Sequence, residues 1–446
     1  MMKYFGTDGF RGEAGTVLTA DHAYRIGRYL GWYYNQDHKG SIVIGKDTRR
    51  SSYMFEYALV AGIIASGSNA YLLHVTTTPS IAYVVRTEDF DCGVMVSASH
   101  NPFGDNGIKI LDGNGHKMAA KVEEAIERYI DGEIEELPFA EGEDIGIATD
   151  YAIGRNRYIG YLISLATRSY RGKRIGLDCA NGSSFAIAKS VFDALGAKTY
   201  VISAEPDGLN INKDCGSTHI ERLVSLVKEK ELDLGFAFDG DADRCIAVDH
   251  TGQIIDGDSI IYVCGKYLKK HAKLDGNHVV VTVMSNFGLF KALDKAEIEY
   301  DVTQVGDKYV NEDMTKQGYV LGGEQSGHVI FSRYATTGDG ILTAIMLMDV
   351  ILEEKTSLNA LVEGFKRYPQ LLENVPVPDK QRIMEHEEVL SAEEDIKQAL
   401  GEEGRILLRE SGTEPVIRVM VEAKTDELCE THVRRMVDLI NSIKEQ

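Results

Sequence analysis

The chain has 446 residues, 43% of them hydrophobic and 26% charged, and a formal net charge of −21. That length suggests about three domains, with four small ones also fitting, and the composition is that of a globular protein. So acidic a balance repels nucleic acid and membrane surfaces, so neither is expected as a partner, and a phosphorylated ligand would need a local island of Lys and Arg.

The stretch MMKYFGTDGFRG contains no apolar signal core, and the six cysteines include no CxxC pair. Both point to a cytoplasmic protein with reduced thiols. Within that stretch Arg11 lies in a glycine-rich turn, where it is either a binding cation or plain surface charge. The first β-loop-α-β pattern follows: Ser41–Ile44, the loop GKDTRRSS, a helical Met54–Ala65, and Tyr71–Val75. Arg49 and Arg50 in its loop are a second basic pair of the same ambiguity. The run GVMVSASHNPFGDNGIKI (residues 93–110) places Ser99 in a polar loop just past a predicted strand end, where ligands bind in open α/β sheets. A serine there can accept or donate a group if a base and a cation are near, and His100 and Lys109 are close in sequence. The plainer reading is a polar turn.

The pattern returns at Arg174–Leu177, the loop DCANGSS, a helical Phe185–Leu195, and Lys198–Ile202. Between the apolar run Leu234–Phe238 and the strand-like Cys245–Asp249 lies Asp239-Gly-Asp241-Ala-Asp243-Arg244. Three carboxylates at alternate positions repel one another unless a hard cation joins them. An EF-hand is excluded, because Arg244 and His250 stand where that loop needs Gly and Glu. Magnesium is the expected ion, since it works alongside phosphate oxygens; a solvated acidic turn is the alternative. A third copy of the pattern spans His278–Val283, the loop MSNFG, a helical Leu289–Lys295, and Glu299–Val302. Three such units at domain-sized spacing predict three related α/β domains.

GGEQSGH (residues 322–328) is a near miss to a P-loop, with His328 and Val329 replacing its Lys and Ser/Thr. Glu324 and Ser326 suit sugar hydroxyls, and His328 suits phosphate or proton transfer. The longest apolar stretch, Ile341–Leu352, is too short to span a bilayer and contains Asp349. Pro369, Pro376 and Pro378 predict a linker, followed by strands at Arg405–Leu408 and Val416–Val421 and a helix from about Asp426 to Lys444. Between those strands, Arg409-Glu-Ser411-Gly412-Thr413-Glu-Pro, with Arg418 beyond it, forms an arginine-framed turn suited to an anion.

Taken in order, the phosphoserine-type loop, DGDADR, GEQSGH and RESGTEP resemble the α-D-phosphohexomutase family over nearly the whole chain. KYFGTDGFRG, PDGLNIN, CGSTH and TTGDG are similar to its bacterial branch acting on glucosamine phosphates. The resemblance implies three related α/β domains with mixed sheets and a smaller C-terminal α+β domain around a central active-site cleft. The expected divisions are 1–152 (phosphoserine loop), 153–252 (metal), 253–368 (sugar) and 369–446 (phosphate). It implies that Ser99 is a phosphoserine and that Asp239, Asp241, Asp243 and a phosphoserine oxygen hold Mg2+. Arg11, His100, Lys109 and His328 would assist transfer. Arg244, Lys308, Glu324, Ser326, Arg409, Ser411, Gly412, Thr413 and Arg418 would bind substrate. Lys308, in GDKYV, departs from the Arg common in relatives and so lacks its bidentate fork.

The implied reaction interconverts glucosamine 6-phosphate and glucosamine 1-phosphate through a sugar 1,6-bisphosphate, which is both intermediate and activator. Its product would feed UDP-N-acetylglucosamine and cell-wall synthesis. The implied partner is the amino-sugar phosphate, and oligomeric state stays open, a homodimer included. The alternatives are the phosphomannomutase/phosphoglucomutase activity of the same family and, more distantly, a metal-dependent sugar phosphatase or a sugar-phosphate sensor.

Overall fold

A computed structural model describes residues 3–411 and 415–444. The chain forms two compact units, one of residues 1–284 and 298–362, the other of residues 285–297 and 363–446.

The first unit holds three sheets built to one plan. In the first, the parallel strands Cys92–Val96, Ser41–Lys46, Asn69–Val75 and Ala148–Asp150 run side by side, and Asp105–Asp112 and Gly9–Glu13 add antiparallel beside Cys92–Val96. In the second, Leu234–Phe238, Arg174–Asp178 and Lys198–Ile202 are parallel, and Cys245–Asp249 returns antiparallel. In the third, Leu321–Gly323, His278–Thr282 and Glu299–Thr303 are parallel, and Val329–Phe331 returns antiparallel. The central strands, such as Cys92–Val96 and Leu234–Phe238, are buried on both faces, as βαβ packing requires, whereas the edge strands Lys198–Ile202 and Glu299–Thr303 are partly exposed.

All three predicted βαβ units are present, with shifted edges. The first helix begins at Arg50, not Met54. Asp47 explains the earlier start: its Oδ1 accepts from the Arg49 N–H and the Ser52 hydroxyl, which closes the turn into the helix. The second crossover is a 3-10 turn, Ser183–Ala186, followed by a helix, Ala188–Ala194. The apolar stretch around Ile345 is a buried core helix, Gly340–Glu354, capped by Asp339. Among the described residues no helix is long and apolar enough to cross a membrane.

The second unit carries a three-stranded antiparallel sheet in the order Gln370–Pro376, Val416–Ala423, Gly404–Glu410, covered by helices Glu387–Leu400 and Asp426–Lys444 around an apolar core. The proline-punctuated stretch expected to be a linker is therefore largely a strand. It escapes the usual bar on proline because it is an edge strand, and Pro376 occupies its last paired position, opposite Val416. The helix Phe287–Lys295 belongs to this unit, anchored where Asn286 Nδ2 and the Phe287 N–H donate to the buried Glu422 carboxylate.

Candidate active site

In each of the three sheets, one loop joins the last parallel strand to its antiparallel neighbour. Those loops are the Ser99 segment, DGDADR and EQSGH. Each therefore leaves a sheet at the carboxyl end of a strand and is pinned by the hairpin that follows.

The loops meet inside the first unit. Ser99 is buried, with its backbone in the left-handed region (φ 51°). Its hydroxyl donates to Asp239 Oδ2 at 2.5 Å and lies 3.4 Å from His100 Nδ1. The close approach depends on Gly240, where a Cβ would stand 2.5 Å from the Ser99 carbonyl oxygen. The metal-type loop is bonded in turn to the third, with the Cys245 N–H donating to the Gly327 carbonyl.

Asp239, Asp241 and Asp243 are buried, with one oxygen from each within 4.8 Å of the others. Lys109 Nζ donates to Asp241 Oδ2 at 2.8 Å and to Asp243 Oδ2 at 3.3 Å, and the Thr78 hydroxyl donates to Asp241 Oδ2 at 2.6 Å. The Oδ1 atoms of Asp241 and Asp243 accept no hydrogen bond from any described residue. Orphaned carboxylate oxygens in a buried cluster are costly unless a cation takes them, so this donor set fits a hard divalent ion.

The electrostatics agree. Burial, with the charges of Asp243 and Asp241, pushes Asp239 well above the usual carboxylate range, the state of a triad with too little positive charge. Burial works the same way on Asp243, but Lys109, His328 and Arg244 hold it well below that range. Burial opposes the charge on Lys109, yet Asp241 and Asp243 raise its pKa, so it stays an ammonium. Burial, with Arg244 and Arg11 nearby, pushes His100 down to about 4, so its ring is neutral at physiological pH.

His328 Nδ1 lies 3.7 Å from Asp243 Oδ2, and its Nε2 lies 3.8 Å from Asp307 Oδ2. Although burial disfavours its charge, Asp243 and Asp307 raise its pKa. The Gly338 N–H donates to Nε2 at 3.1 Å, and a Cβ at Gly338 would stand about 2.5 Å from the ring. TTGDG thus backs the imidazole with bare backbone. Arg11 pairs with Asp8, and the backbone N–H of Arg244 donates to Asp239 Oδ1 at 3.1 Å. Glu324 Oε1 accepts from the Gly306 N–H at 3.0 Å, while the Ser326 hydroxyl is buried without a hydrogen-bond partner among the described residues. Lys308 lies 3.9 Å from Glu312 on its own helix and lines a cavity of about 40 Å³ with Asp8, Lys117, Glu123 and Asp307.

Four family models match in chain order: phosphoglucomutase/phosphomannomutase α/β/α domain I at residues 2–136, domain II at 156–252, domain III at 256–368 and the C-terminal domain at 372–439. The chain is 62% identical to the phosphoglucosamine mutase of Lachnoclostridium phytofermentans, over 98% of each chain. The chain belongs to the phosphoglucomutase/phosphomannomutase family. It is also 62% identical to the phosphoglucosamine mutase of Lachnospira eligens, over 99% of each. The fold agrees with that of a phosphoglucomutase/phosphomannomutase family protein from Burkholderia thailandensis, with a TM-score of 0.79 at 21% identity, covering 99% of this chain and 98% of that one.

In this family member the second unit carries its own cationic cluster. Arg409 and Arg418 stand directly opposite each other on neighbouring strands. Like charges in that register disfavour one another. Arg409 shows the strain: burial and then Arg418 lower its pKa. Arg418 Nη2 lies 3.5 Å from the Ser411 hydroxyl, and Lys380 Nζ donates to the Ser411 carbonyl at 2.7 Å. Gly412 and Thr413 lie outside the described residues. Sequence reasoning missed Thr78, Lys117, Asp307, Gly338 and Lys380, which sit outside the four motifs or, like Asp307 beside Lys308, went unremarked within a noted segment. Arg49, left ambiguous, is fully buried against the Ser99 loop, whereas Arg50 is exposed.

Proposed function

We propose that the chain interconverts glucosamine 6-phosphate and glucosamine 1-phosphate, with Ser99 as the phosphoryl carrier and a sugar 1,6-bisphosphate as intermediate and activator. The observation that carries this reading is a buried serine hydroxyl 2.5 Å from the first of three clustered carboxylates, with an ammonium held beside the other two. The names of relatives at 62% identity support glucosamine as the sugar. The reaction is placed in the cytoplasm, and the domain divisions are proposed at 152/153, 252/253 and 368/369.

Phospho-Ser99 gives its phosphoryl group to the C1 hydroxyl of the 6-phosphate. The bond from phosphorus to Ser99 Oγ breaks, the bond to the sugar oxygen forms, the sugar hydroxyl proton leaves to a base, and Ser99 Oγ takes up a proton. The bisphosphate turns over, its 6-phosphoryl group returns to Ser99, and the 1-phosphate departs. Phosphoryl transfer is chiefly positioning and charge neutralisation. Lys109, kept cationic by Asp241 and Asp243, neutralises charge on the moving group together with Arg11. His328, oriented by Gly338 and raised in pKa by Asp243 and Asp307, is assigned the proton exchange. His100, beside the Ser99 hydroxyl, supports its orientation. Asp239, Asp241, Asp243 and a phosphoserine oxygen would hold Mg2+, which when bound supplies further charge stabilisation. Arg244, Glu324, Ser326 and Lys308 contact the sugar, and Arg409, Ser411, Gly412, Thr413 and Arg418 the phosphate not in transit.

A substrate panel tests the proposal. With a catalytic amount of sugar 1,6-bisphosphate, kcat/KM should be highest for glucosamine phosphate over glucose and mannose phosphates. A preference for either neutral sugar would replace it with the sister activity.

A further inference from the structure

PDGLNIN, residues 206–212, is part of the sequence resemblance but supplies no group to the mechanism above. Its last residue has a defined task in the structure. Asn212 Nδ2 donates to the Ser99 carbonyl at 2.8 Å and to the Asn101 carbonyl at 3.0 Å. Arg49 Nη2 reaches the same two oxygens, at 3.2 Å and 2.5 Å. Two side chains from different sheets thus grip the same two carbonyls of the carrier loop.

Both gripping residues are themselves held. Arg49 is fully buried and paired with Asp47. Asn212 is buried with φ 57°, a conformation asparagine tolerates better than most residues, and its N–H donates to the Ala180 carbonyl at 2.8 Å. The Thr48 hydroxyl, beside Arg49, donates to the carbonyl of Asn181, the neighbour of Ala180, at 2.6 Å. Ser99 needs such support. Its left-handed backbone is uncommon for a residue with a Cβ and persists only where its surroundings impose it. With its carbonyl fixed on both sides, the remaining freedom of Oγ is rotation about χ1.

We propose that Asn212, together with Arg49, is a positioning residue for the carrier serine. The pair clamps the Ser99 and Asn101 carbonyls so that Oγ meets the transferring phosphoryl group in one backbone geometry in both half-reactions. Displacements near 1 Å in such geometry cost on the order of a hundredfold in rate. The inference rests on Ser99 being the carrier.

The test uses the full chain with Ser99 first dephosphorylated, and a sugar 1,6-bisphosphate labelled in its phosphoryl groups. It compares the rate of label transfer to Ser99, and steady-state kcat and KM, in wild type, Asn212→Gly and Asn212→Asp. Glycine keeps the left-handed backbone and removes only the amide. Aspartate turns a carboxylate toward two carbonyl oxygens. Transfer and kcat should fall about tenfold or more in N212G and further in N212D, with KM within about twofold of wild type. Wild-type transfer rates in both variants would overturn the clamp. So would a loss carried by KM, an N212D no slower than N212G, or a loss that merely tracks the unfolded fraction seen by circular dichroism. If wild-type Ser99 takes no label, the underlying carrier reading fails, and that result is distinct from unchanged rates in the variants.

Discussion

Lys109→Met tests the electrostatics of the metal-type loop without changing a carboxylate. The ammonium lies 2.8 Å from Asp241, 3.3 Å from Asp243 and 3.4 Å from Asp8. Unit charges about 4 Å apart attract by roughly 4 kcal/mol at an effective dielectric near 20, and part of that offsets the desolvation of a buried ammonium. Removing one partner of such a buried set costs about 3–5 kcal/mol. The roughly 350 residues of the first unit carry an unfolding entropy of about 0.7 kcal/mol/K, so that deficit lowers Tm by about 4–7 °C. Methionine matches the lysine stem in bulk, which keeps the packing loss small. The assay is a thermal melt at pH 8 in EDTA and again in Mg2+. The metal-free variant should melt lower by that amount. Mg2+ should then raise its Tm by more than it raises wild type, because the ion no longer competes with an ammonium for Asp241 and Asp243. Equal metal-free melting points, or a Mg2+ shift no larger than wild type's, would refute the reasoning.

Ser99→Ala should lower turnover to below about a thousandth of wild type while leaving circular dichroism unchanged; a variant near the wild-type rate would remove Ser99 as carrier. EDTA should silence the enzyme and Mg2+ restore it, and full activity in a metal-free preparation would rule out the cation. Arg418→Ala should raise KM about tenfold with a smaller change in kcat, and unchanged values of both would argue against a phosphate role. Asp339 gives a pH prediction. Burial raises its carboxyl from the ordinary 3.8 to about 6, so the folded state binds this proton more tightly than the unfolded chain. Its contribution to stability is therefore full below pH 4, declines as pH rises to about 6 and is flat above, a difference of about 3 kcal/mol. Asn in its place can still accept from the Leu342 N–H, so the melting point of Asp339→Asn relative to wild type should climb between pH 4 and 6 and then level. A difference that does not vary with pH would contradict this.

Local chemistry was legible in the sequence, and long-range contact was not. Three carboxylates at alternate positions announce a cation site wherever the chain folds, because their repulsion arises within one turn. The strand before Ser99 and the hairpins after each loop follow from apolar runs and turn residues. Arg49 could not be sorted from Arg50 by sequence, since both stand in one polar loop. Burial separates them, and burial depends on the Asn101 and Ser99 carbonyls some fifty positions away. Thr78 and Asn212 likewise act through partners distant in sequence. The proline-rich stretch misled because proline signals an interrupted ladder, and an edge strand needs only one side of it.

The three loops of the first unit differ in how much of their geometry their own hairpin can set. The turns at residues 239–244 and 324–328 are closed tightly, by the pairs Phe238 with Cys245 and Gly323 with Val329. Few backbone torsions remain free there, so side-chain direction follows from the fold alone. The Ser99 loop is longer. It begins after Val96, paired with Ile108, and its first internal tie is the Ser97 N–H to the Gly107 carbonyl. A loop of that length has no intrinsic reason to hold a serine at positive φ. Its own ties, the Ser99 N–H to Ser97 Oγ and the Asn101 N–H to the Ala98 carbonyl, are supplemented from outside by a buried arginine of its own sheet and an asparagine of the next. The group that must move least in the proposed chemistry thus sits on the segment least constrained by its own strands. That is the physical reason for two unrelated side chains to converge on the same pair of carbonyls.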